Sequence, residues 1–167
     1  RRRAALVRFL AQSLEDTSAE QIAADAGVSL RTFYRHFTSK HDLLFADYDA
    51  GLMWFRAALL ERSPDESIIE SVQSAIFAFP YDVEAVTQIA ALRAQELDPG
   101  RIVRHTRQVE AEFADAVAAQ LADSAEDLGV DDRLRVMVTA RCIAAAVFGA
   151  MEMWMVDVIA ASAVARI

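Results

Sequence analysis

Apolar side chains recur at helical spacing almost from the first residue. Leu6, Phe9, Leu10 and Leu14 fall on one stripe with Arg8 and Gln12 opposite, a pattern that predicts an amphipathic helix ending near Glu15. Ser18-Ala-Glu-Gln21 then has the form of a capping box, a hydroxyl and an amide three residues apart just ahead of Ile22 and Ala23. A short helix starts there, and Gly27 stops it, because a residue without Cβ enters the left-handed region without a clash. Ser29 is placed to cap a third helix through Phe37, in which Phe33 and Phe37, four apart, make the buried stripe. Arg31, Thr32, Arg35 and His36 then lie on other faces, as does Tyr34 in part. Ser39-Lys-His-Asp42 repeats the capping pattern and launches a longer helix through Leu43, Leu44, Tyr48, Leu52, Phe55 and Leu59 as far as Ser63-Pro64.

Beyond Pro64 the periodicity predicts helices over Glu66–Phe79, Val83–Leu97, Arg101–Leu121 and Arg133–Val158, separated by Pro80, Pro99-Gly100 and Gly129. The third of these carries a clear stripe of Val109, Phe113, Val117 and Leu121. The last is apolar almost all round, with the small residues Ala144, Ala145, Ala146, Gly149 and Ala150, and is expected either at the centre of the fold or in a subunit interface. The expected fold is all-α, a three-helix head with a helix-turn-helix over residues 1–45 on a larger helical body over 46–167.

Composition agrees: 54% of the 167 residues are hydrophobic, while there are only 5 Gly and 3 Pro. Cys142 is the only cysteine, which excludes an intrachain disulfide framework or a multi-cysteine zinc site and fits a reducing cytoplasm. The most apolar run, Cys142 to Met151, is bounded by Arg141 and Glu152 and falls short of the roughly 20 residues that span a bilayer, so core packing and no membrane are expected.

Charge changes the picture more. The net charge of −8 argues against a nucleic-acid partner, since phosphates call for clustered Lys and Arg. Its distribution points the other way: residues 1–48 carry 7 basic and 6 acidic side chains, a balance of +1, and the remainder stands at −9. A DNA-facing head on an acidic body that phosphates repel would show this asymmetry.

Two short helices joined by a turn containing Gly, the second exposing hydroxyl, aromatic and basic side chains, form a helix-turn-helix pattern. The run from Ile22 through Ala-Ala-Asp-Ala-Gly27-Val-Ser29-Leu-Arg31-Thr-Phe-Tyr34-Arg-His36-Phe37-Thr-Ser39 to Lys40 resembles the signature of TetR-family bacterial regulators, and the likeness covers roughly Leu6 to Leu44. In that family a glycine turn is followed by a recognition helix ending in Tyr-x-His-Phe and then by a Ser-Lys pair; Gly27, Tyr34, His36, Phe37, Ser39 and Lys40 match. The chain departs from it with Ser13-Leu14 where Gly and an aromatic are frequent, with Thr38 in a place often taken by Pro, and with Glu20 where a DNA-contacting residue often stands. The resemblance implies a transcriptional repressor that binds a palindromic double-stranded DNA operator as a homodimer and responds to a small molecule held in its body.

Residue chemistry proposes the contacts. Arg31 and Arg35 can donate paired hydrogen bonds to guanine O6 and N7 or to phosphate, and Thr32 can meet a base edge or a thymine methyl. Ser18 offers a hydroxyl at a helix start, and Ser29, as a cap, completes the DNA-facing set. By the resemblance, Tyr34, His36 and Lys40 contact phosphates; the charge run Arg1 to Arg3 is read separately as a basic arm that strengthens binding without reading sequence. In the body, Trp54, Phe77, Phe113, Phe148, Met151 and Trp154, together with Phe79 and Tyr81, favour an apolar effector, with Arg93, His105, Arg141 and Glu152 as candidate polar anchors. No cofactor or metal is expected. Catalysis is not expected either: the histidines are His36, His41 and His105, and the chain has no Glu-x-x-His, His-Glu-x-x-His or Gly-x-Ser-x-Gly and no phosphate loop. The competing reading is a helical interaction or dimerisation module with a vestigial helix-turn-helix, favoured by Glu20 and the acidic net charge.

Overall fold

The computed structural model describes residues 16–63, 65–80, 82–123 and 129–164, with side chains through 157. Among them the order is α1 (Ala19–Asp25), α2 (Leu30–His36), a 3₁₀ helix η1 (Lys40–Phe45), α3 (Ala46–Leu60), α4 (Ile68–Phe77), α5 (Val83–Glu96), α6 (Pro99–Asp123) and α7 (Val130–Val164), with no strand. The expected opening helix to Glu15, the Arg1 to Arg3 arm, Pro64 and Tyr81 lie outside the described residues.

Side-chain caps set the helix starts. Ser67 accepts from the Glu70 amide at 3.2 Å while the Glu70 carboxylate takes the Ser67 amide at 3.0 Å, a reciprocal box that opens α4. Two expectations change. Pro99-Gly100 does not separate helices but opens α6: Asp98 caps the Arg101 amide at 3.1 Å, and proline at a first helical position loses no hydrogen bond there. The helix expected from Lys40 begins as η1, where amide bonds reach back three residues, Asp42 to Ser39 at 3.2 Å, and becomes α-helical only at Ala46.

The chain forms two compact units, one of Arg1–Asp47 with Val83–Ile102, the other of Tyr48–Asp82 with Val103–Ile167. The linear division after residue 45 is therefore interrupted, because α5 groups with the head. In the first unit Ile22, Ala23, Phe33, Leu43, Leu44 and Phe45 are buried, as are Ile89, Ala90 and Leu97.

The second unit has its own core, drawn from four helices: Leu52, Phe55 and Leu59 of α3, Val72 and Ala75 of α4, Val109, Phe113, Ala114 and Val117 of α6, and Ala140, Ala144 and Phe148 of α7. Phe113 stacks on Phe55 with centroids 3.7 Å apart and meets Phe148 edge-on at 5.7 Å. Helix α7 is not central. It buries a narrow stripe, Ala140, Ala144 and Phe148, and exposes Leu134, Met137, Val138, Met153 and Val156. By length and composition Val130–Asp157 is apolar enough to cross a membrane, a longer stretch than the run between Arg141 and Glu152 suggested. One side of it is nonetheless fixed in this core, and Arg141 pairs with Asp115 at 3.3 Å.

Candidate nucleic-acid interface

The turn between α1 and α2 is built from caps at both ends. Ser18 takes the Gln21 amide at 3.2 Å and gives its own amide to the Gln21 side chain at 2.9 Å, completing the expected capping box. At the far end Gly27 has φ +65°, its amide reaches the Ala24 carbonyl at 3.0 Å, and the Val28 amide reaches that of Ala23 at 2.9 Å. These two bonds define a Schellman motif, and the positive φ is why glycine stands there. Ser29 then caps α2, accepting from the Thr32 amide at 3.1 Å.

Phe33 anchors α2 inward at 4% exposure, against the Phe37 ring at 5.3 Å and the Tyr34 ring edge-on at 5.3 Å. Phe37 leaves the helix in extended geometry, φ −133° and ψ 128°. With Phe33 held inside, Arg31, Tyr34, Arg35 and His36 are exposed together, as expected. Thr32 is half-buried and its hydroxyl lies 2.9 Å from that of Ser29. Lys40 reaches back to the Thr17 carbonyl at 3.2 Å, which brings its ammonium beside Ser18 at the start of α1.

The segment that leaves α2 is held by one carboxylate. Asp42 Oδ2 accepts from the amide of Thr38 at 2.8 Å, the hydroxyl of Thr38 at 2.6 Å and the amide of Ser39 at 2.9 Å, while Oδ1 accepts from Arg101 at 2.6 Å. Partial burial pushes this carboxyl up, but the bonds from Thr38 and Ser39 and the Arg101 charge outweigh it and hold its pKa below the ordinary value. Thr38 in place of the frequent proline thus has a use: proline has no amide hydrogen to give Asp42.

Helix α5 contributes the feature that residue-by-residue reasoning missed. Arg93 is only 3% exposed; its Nε donates to the Leu44 carbonyl at 2.7 Å, its Nη2 pairs with Asp47 at 2.5 Å, and its guanidinium lies over the Phe45 ring at 5.6 Å. It clamps α5 to η1 and the start of α3. The signal was present, since Arg93 stands between Ile89 and Leu97 in the buried stripe, where an aliphatic side chain is the usual occupant.

Of the six side chains expected to line a ligand site, the structure brings Phe113 and Phe148 together inside the second core. Trp54 donates its Nε1 hydrogen to the Ala75 carbonyl at 2.9 Å and meets Phe79 edge-on at 5.8 Å. Phe77 is 82% exposed, and Met151 and Trp154 are exposed on α7. Among the proposed polar anchors, His105 faces Asp49 at 3.5 Å beside Tyr48, Arg141 is paired with Asp115, Glu152 is exposed, and Arg93 serves the head.

Residues 2–46 match the family described as bacterial regulatory proteins, tetR family. The chain is also similar to the HTH-type transcriptional regulator TcmR of Streptomyces glaucescens, with 32% identity over 144 residues. That alignment covers 80% of this chain and 62% of the relative, so the chain spans about three-fifths of the curated protein it matches.

Proposed function

We propose that this chain, whose residues 2–46 match the tetR family of bacterial regulatory proteins, is a DNA-binding transcriptional regulator that reads a palindromic operator as a homodimer. The observation that carries the reading is the outward display of Arg31, Arg35, Tyr34 and His36 on a helix capped by Ser29 and anchored by buried Phe33. In this role α2 lies in the major groove, Lys40 and Ser18 meet the backbone beside it, and the acidic remainder of the chain stays away from the phosphates. Such a regulator acts beside the chromosome in the bacterial cytoplasm.

Dimerisation belongs to the same reading. Leu134, Met137, Val138, Met153 and Val156 are exposed on α7, and Ala145, Ala146, Gly149 and Ala150 are exposed with them. Apolar surface of this kind favours burial against a second copy, with small side chains permitting close approach. A two-fold dimer then places its heads on half-sites one helical turn apart, about 34–36 Å. Repression, and release by an apolar small molecule in the second unit, rest on the likeness to that family; operator and effector would weaken each other by one common factor.

Titrating the chain with DNA duplexes at several salt concentrations tests the reading. Specific binding with an affinity that falls steeply as salt rises is expected. Absence of binding even at low salt would leave the chain a helical interaction module.

A further inference from the structure

In α2 each residue advances about 100° around the axis. Measured from Arg35, Arg31 lies about 40° to one side and Thr32 about 60° to the other, while Tyr34 and His36 stand about 100° away on opposite flanks. The buried Phe33 and half-buried Leu30 and Phe37 fill the reverse side. Arg35 therefore points most directly away from the core, with Arg31 beside it one turn earlier.

Arg31 and Arg35 share an unengaged state with Arg104, Arg107 and Arg135 among the described residues, but they alone stand on the outward face of α2, whereas other arginines of the chain are bonded. Arg56 is bonded to Glu112, Arg62 to the Glu66 carbonyl, Arg93 to Asp47 and Leu44, Arg101 to Asp42, and Arg141 to Asp115. Arg31 and Arg35 are exposed, and among the described residues no hydrogen bond or ion pair engages either one. Thr32, the third outward residue, has its hydroxyl at 2.9 Å from that of Ser29. What remains directed outward is two unengaged planar forks, and the major-groove edge that matches such a fork is guanine O6 and N7.

We propose that Arg31 and Arg35 each read a guanine, so that every half of the DNA site carries two G·C pairs about two base-pair steps apart, with Tyr34 and His36 on the phosphates to either side. The spacing follows from helix geometry: four residues rise about 6 Å, against about 3.4 Å per base pair. This rests on the DNA-binding role proposed above and adds the base content of the site.

The test is selection by the full chain from a library of randomised duplexes, followed by titration of the selected site with each G·C pair changed in turn. The selected sequence is expected to contain the two guanines in each half. Arg35→Ala should abolish the preference at one position and Arg31→Ala at the other, each costing about 5- to 150-fold in discrimination. Arg35→Lys should keep the dependence on salt but weaken the guanine preference, because an ammonium can still donate to O6 and N7 but lacks the planar fork. If both alanine variants weaken binding equally to all duplexes and reduce the salt slope, the arginines are phosphate contacts and the inference is overturned while DNA binding stands. A selected site without the paired guanines overturns it too. If the chain selects no sequence and binds no duplex at low salt, the DNA-binding role itself fails.

Discussion

Arg101 and Asp42, 59 residues apart in the chain, meet at 2.6 Å between Nη2 and Oδ1. The other oxygen of the same carboxylate closes the turn that follows α2, accepting from Thr38 and Ser39. One side chain thus joins the first turn of α6 to the exit of α2, so part of what holds the proposed reading helix lies more than fifty residues beyond it in sequence.

Replacing that carboxylate should loosen the head. Asp42→Asn is expected to cost about 1–2 kcal/mol in urea denaturation at pH 7, the range of a lost cap. Because the folded pKa is depressed, the contribution of Asp42 is complete above the ordinary value near 3.8 and is lost as the pH falls through the lower folded value. The gap between parent and variant should therefore narrow on acidification. A gap that widens instead would mean the carboxylate is not held as described.

Arg93 is the more severe site. Arg93→Met keeps much of the apolar stem but strips the Leu44 carbonyl and Asp47 of their partner inside the fold. Breaking a buried pair from one side costs about 3–5 kcal/mol. Chemical denaturation should show a loss near the lower end, since Asp47 keeps 16% exposure, with DNA binding lost at temperatures where the parent still binds. A cost under about 1 kcal/mol would contradict the clamp.

Two of the phenylalanines proposed as ligand lining, Phe113 and Phe77, should behave oppositely. Phe113→Ala removes the ring between Phe55 and Phe148 and is expected to destabilise by about 3–5 kcal/mol. Phe77, 82% exposed, should change stability by no more than about 0.5 kcal/mol when replaced by Ala. Thermal unfolding of the two variants side by side decides it.

Charge placed on the exposed face of α7 should separate the subunits. Leu134→Glu combined with Met153→Glu alters side chains outside the core, so helicity by circular dichroism should persist while sedimentation shifts from dimer to monomer at micromolar concentration. A parent chain that sediments as a monomer, or a variant that stays dimeric, would place the interface elsewhere.

The sequence alone determined the local framework. Ser18 with Gln21, Gly27, Ser29 and Phe33 act through neighbours three to five residues away, so their roles follow from spacing and backbone preference, and the structure bears them out, while Phe37, expected in the same buried stripe, is half-buried just past the helix end. The exposure of Arg31 and Arg35 follows from the same periodicity. Tertiary structure decided what depends on distant residues. Nothing local says that Arg93 will find the Leu44 carbonyl 49 residues away, or that α5 will group with the head and not with the body next to it in sequence. Nor does an all-round apolar helix announce which stripe it buries: Ala140, Ala144 and Phe148 are inside because Phe113 waits at that position, while Leu134 and Met153, no less apolar, are left outside. Hydrophobicity is a property of a side chain, whereas burial depends on which other surface the folded chain brings to it.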